Sequence, residues 1–402
     1  MTTPLSAYTP LPGNTMLPSE EYLETTLTPL LALQRPVIIL ASNEVTDQNL
    51  FINGLTQNIV ILYHLFESLG YQVYLLQHSL TSAEKKGFLS DYRSISCQDM
   101  VMKQMKIHMF MEIGMSLDAL TRSYLRTIGC KIVKLYLGNI LNIDIETVQN
   151  YSNMFFHHHI VGEIDEIWTS PHYLQHIEYA ALLNRVPMSK GIVVPYVWDP
   201  CFLKQYSKGS LEWVRTDWKT QDIVIMDPNI SFQKCSFYSL LLAEAFSKRC
   251  PEWRGNVHVV NGDRIKLSSH AFNRLLPSLT LWASGRIKLY ERKKIHNILE
   301  THRSACFLTH QWNNDYNYMT LELLHGGYPI LHNSEGWRDY GYHYDINEWD
   351  AACETLGNAL QHHHENRFIY QTHAAQLIWK HSIHHPDVQR RWKELLSLSK
   401  DA

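Results

Sequence analysis

Short apolar runs alternate with stretches of helical periodicity along most of this chain. The first run, residues 37–40 (Val-Ile-Ile-Leu), is apolar throughout, as a strand buried on both faces must be. After a loop to Gly54, the residues Leu55, Ile59, Leu62, Phe66 and Leu69 recur at spacings of three and four, which sets them on one face of a helix. Gly70 stops that helix, and residues 71–76 supply the next strand. The same rhythm predicts strands at 107–111 and 132–137, leading to Gly114 and Gly138, at 166–169, leading into Ser170-Pro171, and at 193–197. Helical patterns fall between them. Strands joined this way run parallel, and their ligand crevice lies beyond their carboxyl ends.

The rhythm breaks over residues 199–220, which hold Pro200, Gly209 and two tryptophans, and then resumes. Strands are expected at 223–226, 257–260, 287–290, 306–309 and 329–332, with a helix at 236–248 and a short one at 318–325. The last forty residues read as mostly helical, interrupted at Pro386. The expected organisation is an N-terminal extension (1–36), a first Rossmann-like α/β domain (37–200), a linker (201–220), a second such domain (221–365), and C-terminal helices (366–402).

Composition narrows the function classes. With 402 residues, 45% hydrophobic and 19% charged, the chain can bury a large core. A net charge of −3 gives no global field to draw in nucleic acid or an anionic membrane. Seven cysteines without a C-x-x-C pair suggest neither a disulfide framework nor a thiolate zinc site. A polar, proline-containing amino terminus and the lack of a long apolar run make a soluble cytoplasmic protein the expectation. No G-x-G-x-x-G follows the first strand, which argues against a Rossmann-type oxidoreductase.

Residues 313–331, reading NNDYNYMTLELLHGGYPIL, carry the most chemistry. The segment follows a strand, opens a helix and closes through two glycines into another strand. Free N–H groups of Tyr318, Met319 and Thr320 at the helix start would hold a diphosphate. Glu322, one turn further in, would accept the hydroxyls of a ribose. A capped helix with Glu322 on its solvent face satisfies the same pattern. Gly327 suits a left-handed cap.

Leu321-Glu322, Gly327 and Pro329-Ile330 resemble the donor-binding signature of the GT-B glycosyltransferases. In that family the matching Glu contacts the ribose of a nucleotide sugar. Asn314 stands where retaining members carry a second Glu, and Asn317 where a glycine is usual. A second resemblance lies at the start of the carboxyl half, where many members have an Arg and a Lys for the donor phosphates. Here Lys234 is kept and Asn229 replaces the Arg. Residues 228–231 (Pro-Asn-Ile-Ser) with Lys234, residues 165–168 (Asp-Glu-Ile-Trp) and residues 341–344 (Gly-Tyr-His-Tyr) also resemble a less characterised GT-B-like family of microbes and viruses.

The resemblance implies two Rossmann-like domains facing across a cleft, with C-terminal helices crossing back to the first domain. It also implies sugar transfer from a nucleotide-diphosphate donor, but carries over no acceptor. A glycan, glycoprotein or polysaccharide hydroxyl is the acceptor that suits a near-neutral, slightly acidic enzyme, and no metal or other cofactor is expected, because the helix start and Lys234 can stand in for a cation. Arg292, in a basic cluster after the strand at 287–290, is a further candidate for the donor phosphates. A solvated first turn of the following helix is the favoured alternative. Glu112, after the strand at 107–111, and His158, within the run of residues 157–159, are candidates for the catalytic base. Glu112 has a structural alternative, capping the helix that follows. Three consecutive histidines point in different directions, so the run is not expected to bind a metal. Two other readings stay open. One is a transferase acting on modified DNA bases, which is not favoured and would need a basic cleft built from Lys103, Lys106, Arg122, Arg126, Lys131 and Lys134. The other is a catalytically silent nucleotide-sugar-binding protein.

Overall fold

A computed structural model describes residues 35–42, 45–46, 49–51, 54–77, 88–150, 163–207, 210–268 and 270–397, with the side chains of 77, 88, 89 and 147–150 excepted. The extension up to residue 34 and His157, His158 and His159 lie outside the described residues, as do Asn43 and Glu44.

The first sheet contains β1 (Val37–Ala41), β2 (Gln72–Gln77), β3 (Ser94–Ser96), β4 (Ile107–Ile113), β5 (Lys131–Tyr136), β6 (Glu166–Thr169) and β7 (Gly191–Val193), in the order β3-β2-β1-β4-β5-β6-β7. Every pairing is parallel. Its principal helices are α1 (Gly54–Ser68), α2 (Ala119–Thr127), α3 (Ile140–Asn150) and α4 (Ile177–Leu183). The central strands are apolar because helices bury both of their faces. After helix α5 (Cys201–Tyr206) come β8 (Ile223–Ile225), β9 (Val257–Val260), β10 (Ile287–Tyr290), β11 (Cys306–Leu308), β12 (Ile330–His332) and β13 (Tyr342–His343). This sheet is also parallel, in the order β10-β9-β8-β11-β12-β13. Its helices are α6 (Phe237–Arg249), α7 (Ile295–Thr301) and α8 (Tyr318–His325), followed by the long α9 (Trp349–His381) and the terminal α10 (Pro386–Ser397). Both sheets reverse their direction of growth beside the first strand, between β1 and β4 and between β8 and β11. Ligands bind at such points in open α/β sheets.

The departures from the sequence reading are local. The strand expected at 193–197 is instead β7, two residues earlier, because residues 194–197 turn toward the second lobe, where the Tyr318 hydroxyl donates to the Val197 carbonyl (3.0 Å). The expected linker begins with α5. The expected boundary at 365/366 falls inside α9, which runs unbroken for 33 residues. His363 on that helix is buried. Its ring bonds the Tyr342 hydroxyl and the Gly327 carbonyl.

One hydrophobic cluster passes through both lobes, from Ile38 and Phe66 to Phe307, Tyr328 and Trp392. The terminal helix contributes to it by crossing back onto the first lobe. There the Trp392 ring meets Phe66 (5.2 Å) and Trp168 (5.8 Å), and His108 Nε2 donates to the Leu396 carbonyl (2.8 Å). No helix among the described residues is long and apolar enough to cross a membrane. Trp392→Ala empties a site enclosed by both aromatic neighbours and is expected to cost about 3–5 kcal/mol, read as a lowered denaturation midpoint.

Candidate functional site

Helix α8 faces the seam between the lobes, and its two ends explain its placement. At the start Asn317 is the cap: its side-chain oxygen accepts from the Met319 N–H (3.2 Å) and its carbonyl from the Thr320 N–H (3.0 Å). At the end Gly327 adopts φ +67°, and the Tyr328 and Gly327 N–H groups bond the Leu323 and Leu324 carbonyls. This is the left-handed Schellman closure that the double glycine predicts. The helix between is buried from Tyr318 to Leu324.

Glu322 is 4% exposed, which excludes the solvent-facing alternative. Its partner is Gln57 on α1 of the first lobe, whose Nε2 donates to Oε1 (3.1 Å) across a separation of 265 residues. Burial pushes the Glu322 carboxyl up to about 7, and the Gln57 bond opposes this only in part. Gly54, at the start of α1, is required because a Cβ there would stand 2.6 Å from the Tyr318 ring.

The switch point of the second sheet lies alongside. Asp227, just past β8, is buried, accepts from the Thr309 hydroxyl (2.6 Å), and is raised to about 6 by desolvation. Lys234, on the loop entering α6, is lowered to about 8 by burial, although the Asp227 charge pulls the other way. Its charge also reaches His172 of the first lobe. The His172 ring stacks on Tyr316 (4.6 Å), which stacks in turn on Trp337 (4.7 Å, 3°). Tyr196 packs against both Tyr316 and Tyr318. Buried polar atoms without a hydrogen-bond partner among the described residues recur along these strand ends: Thr169 Oγ1, Ser170 Oγ, His172 Nδ1, His310 Nε2, Gln311 Oε1 and Thr320 Oγ1. Each such atom costs about 1–3 kcal/mol if left unpaired, so their concentration here suits a polar ligand.

The structure thus gathers Glu322, Lys234, Asn314, Asn317, Tyr318, Met319 and Thr320 at one seam, with two adjustments. The Met319 and Thr320 N–H groups, expected to be free, are taken by the Asn317 cap. Asn314 accepts from the Tyr173 hydroxyl (2.6 Å), a contact between lobes. Asn229, expected near the donor phosphates, adopts φ +55° and braces the entry to α6: its side-chain oxygen accepts from the Ser236 N–H and hydroxyl, both at 2.8 Å, and its Nδ2 donates to the Asn261 carbonyl (3.3 Å). Arg292 is exposed after edge strand β10, where it senses the charge of Arg264.

Glu112 lies within β4, not past its end. It is wholly buried, accepts from the Leu117 N–H (3.1 Å), and pairs with Lys134 (3.3 Å) and Arg122 (3.7 Å). That geometry is structural, but it is not the expected helix cap: Asp118 caps α2, its side chain accepting from the Thr121 N–H (2.9 Å). The proposed basic cleft is similarly consumed: Lys103, Arg122, Arg126, Lys131 and Lys134 each pair with a carboxylate, leaving Lys106 alone of the set without one among the described residues. Gln57, Asp227 and His172 escaped the sequence reading. Asp227 and His172 carry a signal, since both closely follow predicted strands at carboxyl ends. A cavity of about 460 Å³ lies elsewhere, between Trp213, Trp218 and Gln221 and the α9 residues Leu360 and His364.

The sequence profile of a family described as "Protein of unknown function (DUF2827)" matches residues 38–396. The chain belongs to that family. No curated protein matches the DUF2827 chain in sequence. Solved structures do match in fold. Trehalose-6-phosphate synthase (OtsA) superposes with a TM-score of 0.60 at 10% identity, covering 91% of this chain and 99% of that one. Anabaena HepE, solved in complex with UDP-glucose, gives 0.55 at 10% identity over 90% and 99%. The Thermobaculum terrenum O-GlcNAc transferase gives 0.53 at 13% identity over 90% and 67%. The DUF2827 chain therefore has the GT-B fold.

Glu322 also makes a thermodynamic prediction. Its folded value, about 7, lies above the unfolded 4.5, so the group costs nothing below pH 4.5, where both states are protonated. The cost grows through pH 4.5–7 and is then complete. Glu322→Gln should therefore stabilise the protein at pH 8 by on the order of 3 kcal/mol, with the gain vanishing near pH 4.5. Urea denaturation across that range reads the effect.

Proposed function

We propose that this protein is a glycosyltransferase that holds a nucleotide-diphosphate sugar on its second lobe and presents an acceptor hydroxyl from its first. The observation that carries the reading is the Glu322 carboxyl, buried at the interlobe seam of a GT-B fold with one neutral amide as its hydrogen-bond partner. A ribose diol donates two hydrogen bonds to such a carboxylate and favours its ionised form. Lys234 supplies positive charge for the diphosphate leaving group, which is where charge develops during transfer. No metal takes part in transfer in this reading. The acceptor is a hydroxyl of a glycan, glycoprotein or polysaccharide. Pairing of the basic set with carboxylates weighs against a DNA acceptor.

A second reading, a nucleotide-sugar binder without turnover, draws on Glu112 being locked in ion pairs and on burial holding His172 at about 3, too weak a base for an alcohol. Release of nucleoside diphosphate from a panel of sugar donors, with and without acceptor extracts, separates the two. Glu322→Ala should weaken donor binding at least tenfold. If donor affinity is unchanged, the site assignment fails.

Proton linkage gives an independent check. Donor binding should release a proton near pH 6–7, as Glu322 ionises, and take one up near pH 8–9, as the diphosphate recharges Lys234. Calorimetry in buffers of different ionisation enthalpy reads the reversal of sign, and Lys234→Met should abolish the uptake alone.

A further inference from the structure

The amino ends of the second sheet, opposite the crevice, bring together three groups that donor chemistry does not use. Asp222 immediately precedes β8, His258 is the second residue of β9, and His302 sits between α7 and β11. Because β8 lies between β9 and β11, the topology sets these positions side by side. One ligand atom from each falls within 4.8 Å of the others.

We propose that Asp222, His258 and His302 form a binding site for a divalent transition ion of the zinc class, acting as a structural clamp on the strand starts. The first argument is that two of the ligands are already oriented from behind. Asp222 Oδ1 accepts from the Asn256 backbone (2.8 Å) and side-chain amide (3.2 Å), which leaves Oδ2 directed at His258 Nε2 (2.9 Å). The other ring nitrogen of His258 bonds the Tyr290 hydroxyl (3.0 Å). Metal-ligating histidines characteristically have such an outer partner, which fixes the ring and its tautomer.

The second argument is His302. Its ring lies 4.4 Å from that of His258 and makes no hydrogen bond among the described residues. Two imidazoles and a carboxylate are ligands that zinc accepts, with water completing a tetrahedron. Ligand atoms on such an ion stand about 3.4 Å apart, so a small rotation of the His302 ring closes the site. Lys293 opposes the ion, since its charge reaches His302, but its ammonium lies over the Tyr290 ring at 4.9 Å.

The bound ion replaces the direct Asp222–His258 contact.

The test uses metal-free full-length protein titrated with Zn²⁺ by calorimetry and with Co²⁺ by absorption. One Zn²⁺ per chain, a raised denaturation midpoint in Zn²⁺, and visible Co²⁺ bands of tetrahedral intensity are expected. His302→Ala should weaken Zn²⁺ at least tenfold and remove the Co²⁺ bands, while lowering the midpoint in EDTA only slightly, because that ring gives up its contact with His258 but no hydrogen bond. Equal uptake by wild type and His302→Ala would assign the binding to scattered surface histidines and overturn the proposal, as would no uptake. None of these readouts involves a sugar donor, so the result stands apart from the transferase reading.

Discussion

A carboxyl group buried between two lobes is the constraint on which the rest of the site is built. Glu322 gains one neutral hydrogen bond from Gln57 and loses its hydration, a poor exchange for stability. Sequences drift away from such groups unless the group has work to do in its ionised state. Its neighbours make the same concession. Asp227 and Lys234 are both shifted toward neutrality by burial, and several polar atoms along the strand ends have no partner. The seam is a dry, polar place that a charged, hydroxyl-rich molecule would complete.

The positions of these groups follow from winding. Each sheet grows outward from its first strand in both directions, so each has one point where the connecting loops diverge. Asp227 and the loop of Lys234 leave β8 at that point, and Thr309 leaves β11 beside it. Helix α8 follows β11 and carries Glu322 to the same edge. Nothing in this arrangement needs a long excursion of the chain. Short loops on a rigid scaffold suffice, and scaffolds of this kind hold functional groups more firmly than free loops do.

Much of this was legible in the sequence where periodicity and end signals agree. Residues 318–325 are closed by a double glycine, and the helix occupies that interval, although its Asn317 cap showed only in the structure. The strands at 166–169, 257–260 and 287–290 fall where their apolar runs lie. Edge strands β3 and β13 were not legible, because three and two residues carry no detectable pattern. The early part of the long helix α9 is hard to recognise, since Asp350, Glu354, Gly357 and the polar run from Gln361 to Glu365 mask a buried stripe at Ala352, Leu356, Leu360 and His363. Within the site, residue type pointed to Glu322 and Lys234, but only tertiary structure pairs Glu322 with Gln57. Glu112 shows the converse: a carboxylate near a strand end looks catalytic until the cations of α2 and β5 close around it.

The chain passes between the lobes twice, and the two passages lie against each other. Trp198 pairs with Ser382 as an isolated bridge, and the Trp198 N–H donates to the His381 carbonyl (2.9 Å). Two strips fastened together along one border behave like the spine of a book: the covers swing about a single line but resist sliding or twisting past one another. Widening of the gap is therefore greatest at the fore-edge, farthest from residues 198 and 382, and smallest beside the spine.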